Sequence, residues 1–373
     1  MDRRSTASGD PCRGLRSHPV NFEVTRQVVT PPATAIDTEE ALDDHLTTPR
    51  PELIAFVQTL RSPLVVLGAG GKMGPTLAVL ARRAAQAAGH PLDVLAVSRF
   101  TDDGPRRWLE TRGVRTMRLD LLQRDEVARL PEASHVIYLV GCKFGTKQNP
   151  SRTWAINTLV PAYVAERYPR AALVALSTGN VYPLVPAPGP GSQETDRLTP
   201  LGEYANAAVA RERVFEHFSE RNGTALALIR LNYAVELRYG VLVDIARKVF
   251  AGEPVDVTMG SFNCIWQGDA NDMILRSLAH VQSAPRVLNL TGRECLSVRE
   301  VALRFGELLG RPVQIAGTEA GTALLSNPSQ ACALLGAPPT PLDQVLRWTA
   351  DWLKHGGRLY DKPTHFETRD GQY

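Results

Sequence analysis

Four glycines crowd the segment LGAGGKMG: Gly68, Gly70, Gly71 and Gly74. Backbone that must turn tightly and approach a phosphate closely needs residues without Cβ, and glycine meets that need with least strain. The run SPLVVL before them reads as a strand and the alanine-rich stretch after them as a helix, so the N–H groups around Lys72 and Met73 would face an anion. The chemistry this predicts is capture of a dinucleotide pyrophosphate; a plain structural turn is the alternative. At the end of the next apolar run, PLDVLAVSRF, Ser98 and Arg99 stand where the adenosine ribose would lie. A carboxylate there bonds the 2′-hydroxyl of NAD, whereas an arginine accepts the 2′-phosphate of NADP. No carboxylate occupies this strand end, so the expected cofactor is NADP or NAD, with NADP favoured. Asp120 follows a third run in RLDLL and is expected beside the adenine with Leu121, or else as a helix cap. Val140 and Gly141, closing the run HVIYLVG, complete the expected cofactor set.

The elements that position these residues alternate. Strand candidates VRTMRLD, HVIYLVG, AALVALST and TALALIRLN follow the first two, with helical stretches at 123–130, 152–168 and 205–221 between the later ones. Such alternation predicts a Rossmann-type doubly wound parallel sheet, whose strands are apolar throughout because both faces are covered. The dinucleotide domain is expected over 63–235, completed by 262–292. Residues 236–261 and 293–373 are assigned to a smaller C-terminal α/β substrate lobe and tail. Residues 1–36 mix Arg, Ser, Gly and Pro without periodicity and read as a loose arm, and 37–62 read as a helical extension with Pro51 opening its second piece. At 373 residues with 43% hydrophobic and 22% charged side chains, the chain can bury a sizeable core. Lys+Arg exceed Asp+Glu by only 42 to 39, which argues against nucleic acid as a partner. Five scattered cysteines without a C-x-x-C pair predict no disulfide framework, no metal site and a cytoplasmic setting. No run approaches the roughly 18 apolar residues of a membrane span.

The spacing then becomes more specific, and the chain resembles the extended short-chain dehydrogenase/reductases of the NAD-dependent epimerase/dehydratase family. Gly68, Gly71 and Gly74 match its G-x-x-G-x-x-G pattern, and LSTGNVYP resembles its S-S-x-x-V-Y-G segment, with Thr178 or Ser177 in the place of the catalytic Ser/Thr. Tyr204 follows Thr178 by 26 residues, about the family interval. The resemblance implies hydride transfer between an alcohol carbon of a polar, sugar-like small molecule and the nicotinamide, with Tyr204 moving the hydroxyl proton. A homodimer is a further implication. A phenol has a pKa near 10 and needs a nearby cation to act as a base at neutral pH. The family places a lysine four residues after the tyrosine, but this chain has Ala208 there.

The first cation on that helix, Arg211, lies about 10 Å further along at 1.5 Å per residue and would have to fold back. Lys143, in the loop after the fourth strand candidate, is expected as the substitute; a cofactor-phosphate contact and a solvated loop lysine are its other readings. Asn157, Asn180, Arg230, Asn232 and Tyr233 are expected to line the substrate site, with a structural polar role as the other reading of Asn157 and packing or capping as that of Arg230, Asn232 and Tyr233. The terminal KPTHFETRDGQY is either a solvated or oligomer-contact tail or a contributor to the substrate site through His365 or Arg369. The absent lysine also motivates a rival function, a dinucleotide-binding sensor or scaffold without chemistry.

Overall fold

The computed structural model describes residues 35–143 and 148–371, so the arm expected over residues 1–36 lies outside it up to residue 34. Seven parallel strands form the central sheet: β1 (Leu64–Leu67), β2 (Val94–Ser98), β3 (Arg115–Arg118), β4 (His135–Tyr138), β5 (Ala172–Thr178), β6 (Leu226–Leu231) and β7 (Arg286–Leu290). Their order across the sheet is 7-6-5-4-1-2-3. The chain starts in the middle with β1, winds out through β2 and β3, then returns to β4 on the other side. A ligand crevice opens at that reversal, beyond the carboxyl ends of β1 and β4. Val65 and Val66 of β1 are fully buried and belong to two different apolar clusters, as expected of a strand covered on both faces. β3 departs from the apolar pattern because it is an edge. Its exposed Arg115 and Arg118 discourage further strand pairing there.

Twelve helices accompany the strands among the described residues. α1 (Glu39–Leu46) is capped by Thr38, whose hydroxyl accepts from the Ala41 N–H at 3.1 Å, and α2 (Pro51–Val57) begins with proline at its first turn. These two short helices serve different cores. Leu53 and Val57 of α2 join the apolar layer that includes α3 (Gly74–Ala87), whereas Ile36, Leu42 and Leu46 pack with Trp266, Trp348 and Phe366 in the C-terminal lobe. The burial of Ile36 ends the expected loose arm before residue 36. The remaining sheet helices are α4 (Asp103–Glu110), α5 (Arg124–Ala128), α6 (Pro150–Arg167) and α7 (Gly202–Asn222), and the helices after β6 are α8 (Val241–Ala251), α9 (Gln267–Arg276), α10 (Val298–Leu309), α11 (Ser329–Leu335) and α12 (Leu342–Lys354). The lobe core is built chiefly from α8, α10 and α12, whose apolar stripes supply Leu242, Ile245, Phe305 and Trp352. After α12 the chain runs without a helix to Gly371.

Candidate functional site

The glycine loop meets the β4 loop at the reversal. Gly68 has φ +82°, and a Cβ on it would lie 3.0 Å from the Val140 N and Cγ2. A Cβ on Gly70 would come within 2.6 Å of the Ser98 Oγ, and one on Gly74 within 2.5 Å of the Ala69 Cα, so neither position admits a side chain unless the structure shifts. Gly71 is different: its nearest neighbour would be the Gly68 carbonyl at 3.4 Å, leaving its exposed face toward solvent or a ligand. Gly68, Gly70, Gly71, Ser98, Arg99, Asp120, Leu121, Val140 and Gly141 line one cleft of ≈ 300 Å³. A cradle from which Cβ atoms are excluded, ahead of the α3 N-terminus, fits a dinucleotide.

Three expected cofactor residues lie elsewhere. Gly74 opens α3 and is buried against Ala69, and Met73 packs against the core, so their contribution is to the turn itself. Lys72 reaches away from this cleft, with its Nζ 3.0 Å from the centre of the Tyr239 ring. Asp120 is not a helix cap, since Gln123 holds that place in α5; its carboxylate accepts from the Leu122 N–H at 3.1 Å while the residue lines the cleft. Sequence reasoning missed Asp102. Its carboxylate caps α4 through the Gly104 N–H at 2.9 Å, and it lines the same cleft as Arg99. Its distance from the strand end hid it.

Beyond the carboxyl end of the sheet, β5 and α7 converge. Thr178 ends β5 and donates to the Asn180 Oδ1 at 2.9 Å while accepting from the Asn180 N–H at 3.2 Å. Thr178 and Tyr204 are each 8% exposed. Adjacent strand residues point to opposite faces, and Ser177 accordingly donates to Glu212 in the interior, while Thr178 faces Asn180. Ala208 is fully buried against Val181 and Tyr182. Arg211 does not fold back toward Tyr204. It spans to β4, donating to the Val140 carbonyl at 2.9 Å and the Asn157 Oδ1 at 3.2 Å. Lys143 is half-buried, donates to the Thr364 carbonyl at 3.4 Å, and is lowered to about 8, chiefly by burial and partly offset by Asp244.

Three residues expected at the substrate are interior instead. Asn157 is fully buried, donating to the Thr153 carbonyl at 2.8 Å while holding Arg211. Arg230, 3% exposed, pairs with Glu212 at 2.7 Å and donates to the Tyr182 hydroxyl at 2.7 Å. Asn232 donates to the Asn263 Oδ1 at 2.8 Å. A buried ion or amide needs satisfied partners, and Arg211, Glu212 and Asn263 supply them from other elements. Asn180 and Tyr233 remain half-buried, Tyr233 with φ +45° and its ring edge-on to Phe262.

Cradle and sheet order together define a dinucleotide-binding α/β protein of the doubly wound class. A family model for the NAD dependent epimerase/dehydratase family matches residues 64–289, and the chain belongs to that family of enzymes. Similar solved structures include the UDP-glucose 4-epimerase of Thermus thermophilus complexed with NAD, 21% identical over 78% of this chain and 99% of that one, with a TM-score of 0.63. UDP-glucuronic acid 4-epimerase from Bacillus cereus, also with NAD, is 16% identical over 78% of this chain and 98% of its own, with a TM-score of 0.66. MoeE5 in complex with UDP-glucose and NAD is 23% identical over 79% and 99%, with a TM-score of 0.63. No curated protein matches the chain significantly. Among the described residues no helix is long and apolar enough to cross a membrane, and no cluster of His, Cys, Asp or Glu is arranged to hold a metal ion.

Proposed function

We propose that the chain is an NAD-dependent enzyme acting on a nucleotide sugar or related sugar by reversible hydride transfer. The observation that carries this reading is the placement of the glycine cradle, Thr178 and Tyr204 at the carboxyl ends of β1, β5 and the start of α7 in one sheet. Gly68, Gly70, Gly71 and Asp120 would hold the dinucleotide, and the bound nicotinamide supplies the hydride acceptor and donor. Thr178 holds the reacting hydroxyl, and Tyr204 takes its proton and returns it. Lys143 takes over from the absent helix lysine: it follows β4, the neighbour of β5, and at about 8 it is mostly protonated at neutral pH. For the cofactor, the NAD complexes of similar structures and the Asp102 carboxylate in the cleft favour NAD over the NADP suggested by Ser98 and Arg99.

The rival reading, a dinucleotide-binding protein without chemistry, draws on Ala208. Purified protein should carry or bind NAD, identified by mass spectrometry, and should interconvert a nucleotide sugar from a panel that includes UDP-glucose and UDP-glucuronate. NAD binding with no turnover on any sugar would support the rival, and no dinucleotide binding would overturn both.

A further inference from the structure

A second cavity, of ≈ 380 Å³, shares no lining residue with the cofactor cleft. Three elements wall it. The N-terminal extension supplies His45 at the end of α1 and Arg50 just ahead of α2, α9 supplies Asp269 and Asp272, and α12 supplies Trp348. Trp266, the residue before α9, and the segment holding Pro339 and Pro341 complete the lining. The extension and α12 lie outside residues 64–289, so the cavity needs parts of the chain that the family match does not reach.

The lining is aromatic, and it strands two polar atoms. The His45 ring stands edge-on to Trp348 with 4.6 Å between centres and to Trp266 with 5.9 Å, and the two indoles are 5.5 Å apart. Trp348 is 7% exposed, and its buried Nε1–H has no hydrogen-bond partner among the described residues. Asp272 is 2% exposed; Arg276 donates to its Oδ1 at 2.6 Å and Arg50 pairs with the same oxygen at 2.7 Å, while its buried Oδ2 has no hydrogen-bond partner among the described residues. A buried donor and a buried acceptor left unpaired are costly, and both belong to residues that line one cavity. The space is far larger than one water needs and falls within the range of small-ligand sites, about 300–1,000 Å³.

Charge and shape narrow the occupant. Arg50 and Arg276 are matched by Asp272 and by Asp269, which lies 4.0 Å from Arg50, so the polar end favours neither an anion nor a cation. Burial lowers His45 below the ordinary histidine value, which leaves its ring neutral at pH 7. A sugar carries more hydroxyls than this lining can satisfy, and a hydrocarbon would leave both stranded atoms unpaired. A neutral, flat heterocycle meets every condition, because its faces suit the indoles and its edge carries both an acceptor and an N–H donor.

We propose that this cavity binds a neutral heteroaromatic ring of nucleobase type, with an edge acceptor for the Trp348 Nε1–H and an edge N–H for the Asp272 Oδ2. The inference is independent of the reaction proposed above, since none of these residues serves the cofactor cleft, Thr178 or Tyr204.

The test is titration calorimetry of the full chain with free adenine and free uracil, with glucose for comparison, each with and without saturating NAD. At least one base should bind with a Kd below about 1 mM whether or not NAD is present, and glucose should not bind. Trp348→Phe, which keeps a ring and removes the N–H, should weaken that base by about tenfold. Thr48→Trp, at an exposed lining position, should abolish its binding by filling the space, with folding checked by circular dichroism. Should Trp348→Phe fail to fold, Thr48→Trp decides alone. Binding of neither base, glucose bound as tightly as a base, or an unchanged affinity in either folded variant would overturn the proposal. Displacement of the base by NAD would assign it to the adenosine end of the cofactor cleft and overturn the proposal as well.

Discussion

Two regions meet at the carboxyl ends of the strands and work by opposite means. The cofactor cradle depends on side chains that are missing, because Gly68, Gly70 and Gly74 each leave space already claimed by Val140, Ser98 and Ala69. The block behind Thr178 and Tyr204 depends on charge. Glu212, fully buried, is bonded by Ser177 of β5 and by Arg230 of β6, and Arg230 in turn holds Tyr182. Because Glu212 sits on α7 and Ser177 precedes Thr178, this one carboxylate ties together the helix carrying Tyr204 and the strand carrying Thr178. Arg211, its neighbour, ties the same helix to β4. Where the family has a lysine on this helix, the chain has invested its polar contacts in fixing the helix itself.

The difference predicts different failures. Glu212→Ala removes one partner of a buried ion pair and should destabilise the fold most, by about 3–5 kcal/mol, read from denaturant unfolding. A loss below about 1 kcal/mol would mean that Arg230 finds another anion. In the cradle, Gly74→Ala forces a methyl group into the Ala69 backbone and should cost about 1–3 kcal/mol, whereas Gly71→Ala should leave the melting temperature nearly unchanged and weaken NAD. If both variants melt alike, the cradle is not built on the packing described here.

The legibility of the two regions follows from the same contrast. A glycine required by backbone geometry is visible in one short stretch, and the strand before it and the helix after it fix its setting, so most of the cofactor cleft could be named from residue types. Residue types left Arg230, Asn232 and Asn157 divided between a substrate role and an interior one. Their surroundings depend on Glu212, Asn263 and Arg211, partners that only the fold brings near. The tail is the clearest such case. Its polar composition reads equally as solvated chain, and its anchors are Asp244, Thr322 and Gly202, far upstream. The parallel sheet, by contrast, follows from alternation of apolar runs and helices, though not the order of its strands or the presence of β7, and β3 departs from the apolar pattern because it is an edge.

Charge at Lys143 should also be visible in pH dependence. Lys143, faced by Asp244 and near Lys72 with its neighbours Lys362, Glu236 and Tyr239, titrates at about 8 in the folded chain against roughly 10.4 for an ordinary lysine. The unfolded chain therefore holds more protons between those values, so folding stability gains with rising pH there, and the cost of burying the charge is fully present below about 8. Thermal melts of wild type relative to Lys143→Met should show this gain from pH 8 to 10. A flat difference would mean that the amine is fully hydrated. The smallest effect is expected at Arg99, which is exposed. Arg99→Ala should change NAD affinity by less than about threefold and weaken NADP more, and the reverse order by calorimetry would remove Arg99 from the ribose site.

We propose that Tyr204 transfers a proton in this chain without a lysine on its own helix. With the nucleotide sugar that the wild type turns over, steady-state rates of wild type and Tyr204→Phe, measured on NAD-loaded protein alongside NAD affinity, address it most directly. The account predicts a fall in kcat of about a hundredfold or more with NAD affinity nearly constant. Turnover by Tyr204→Phe within a few-fold of wild type would contradict it.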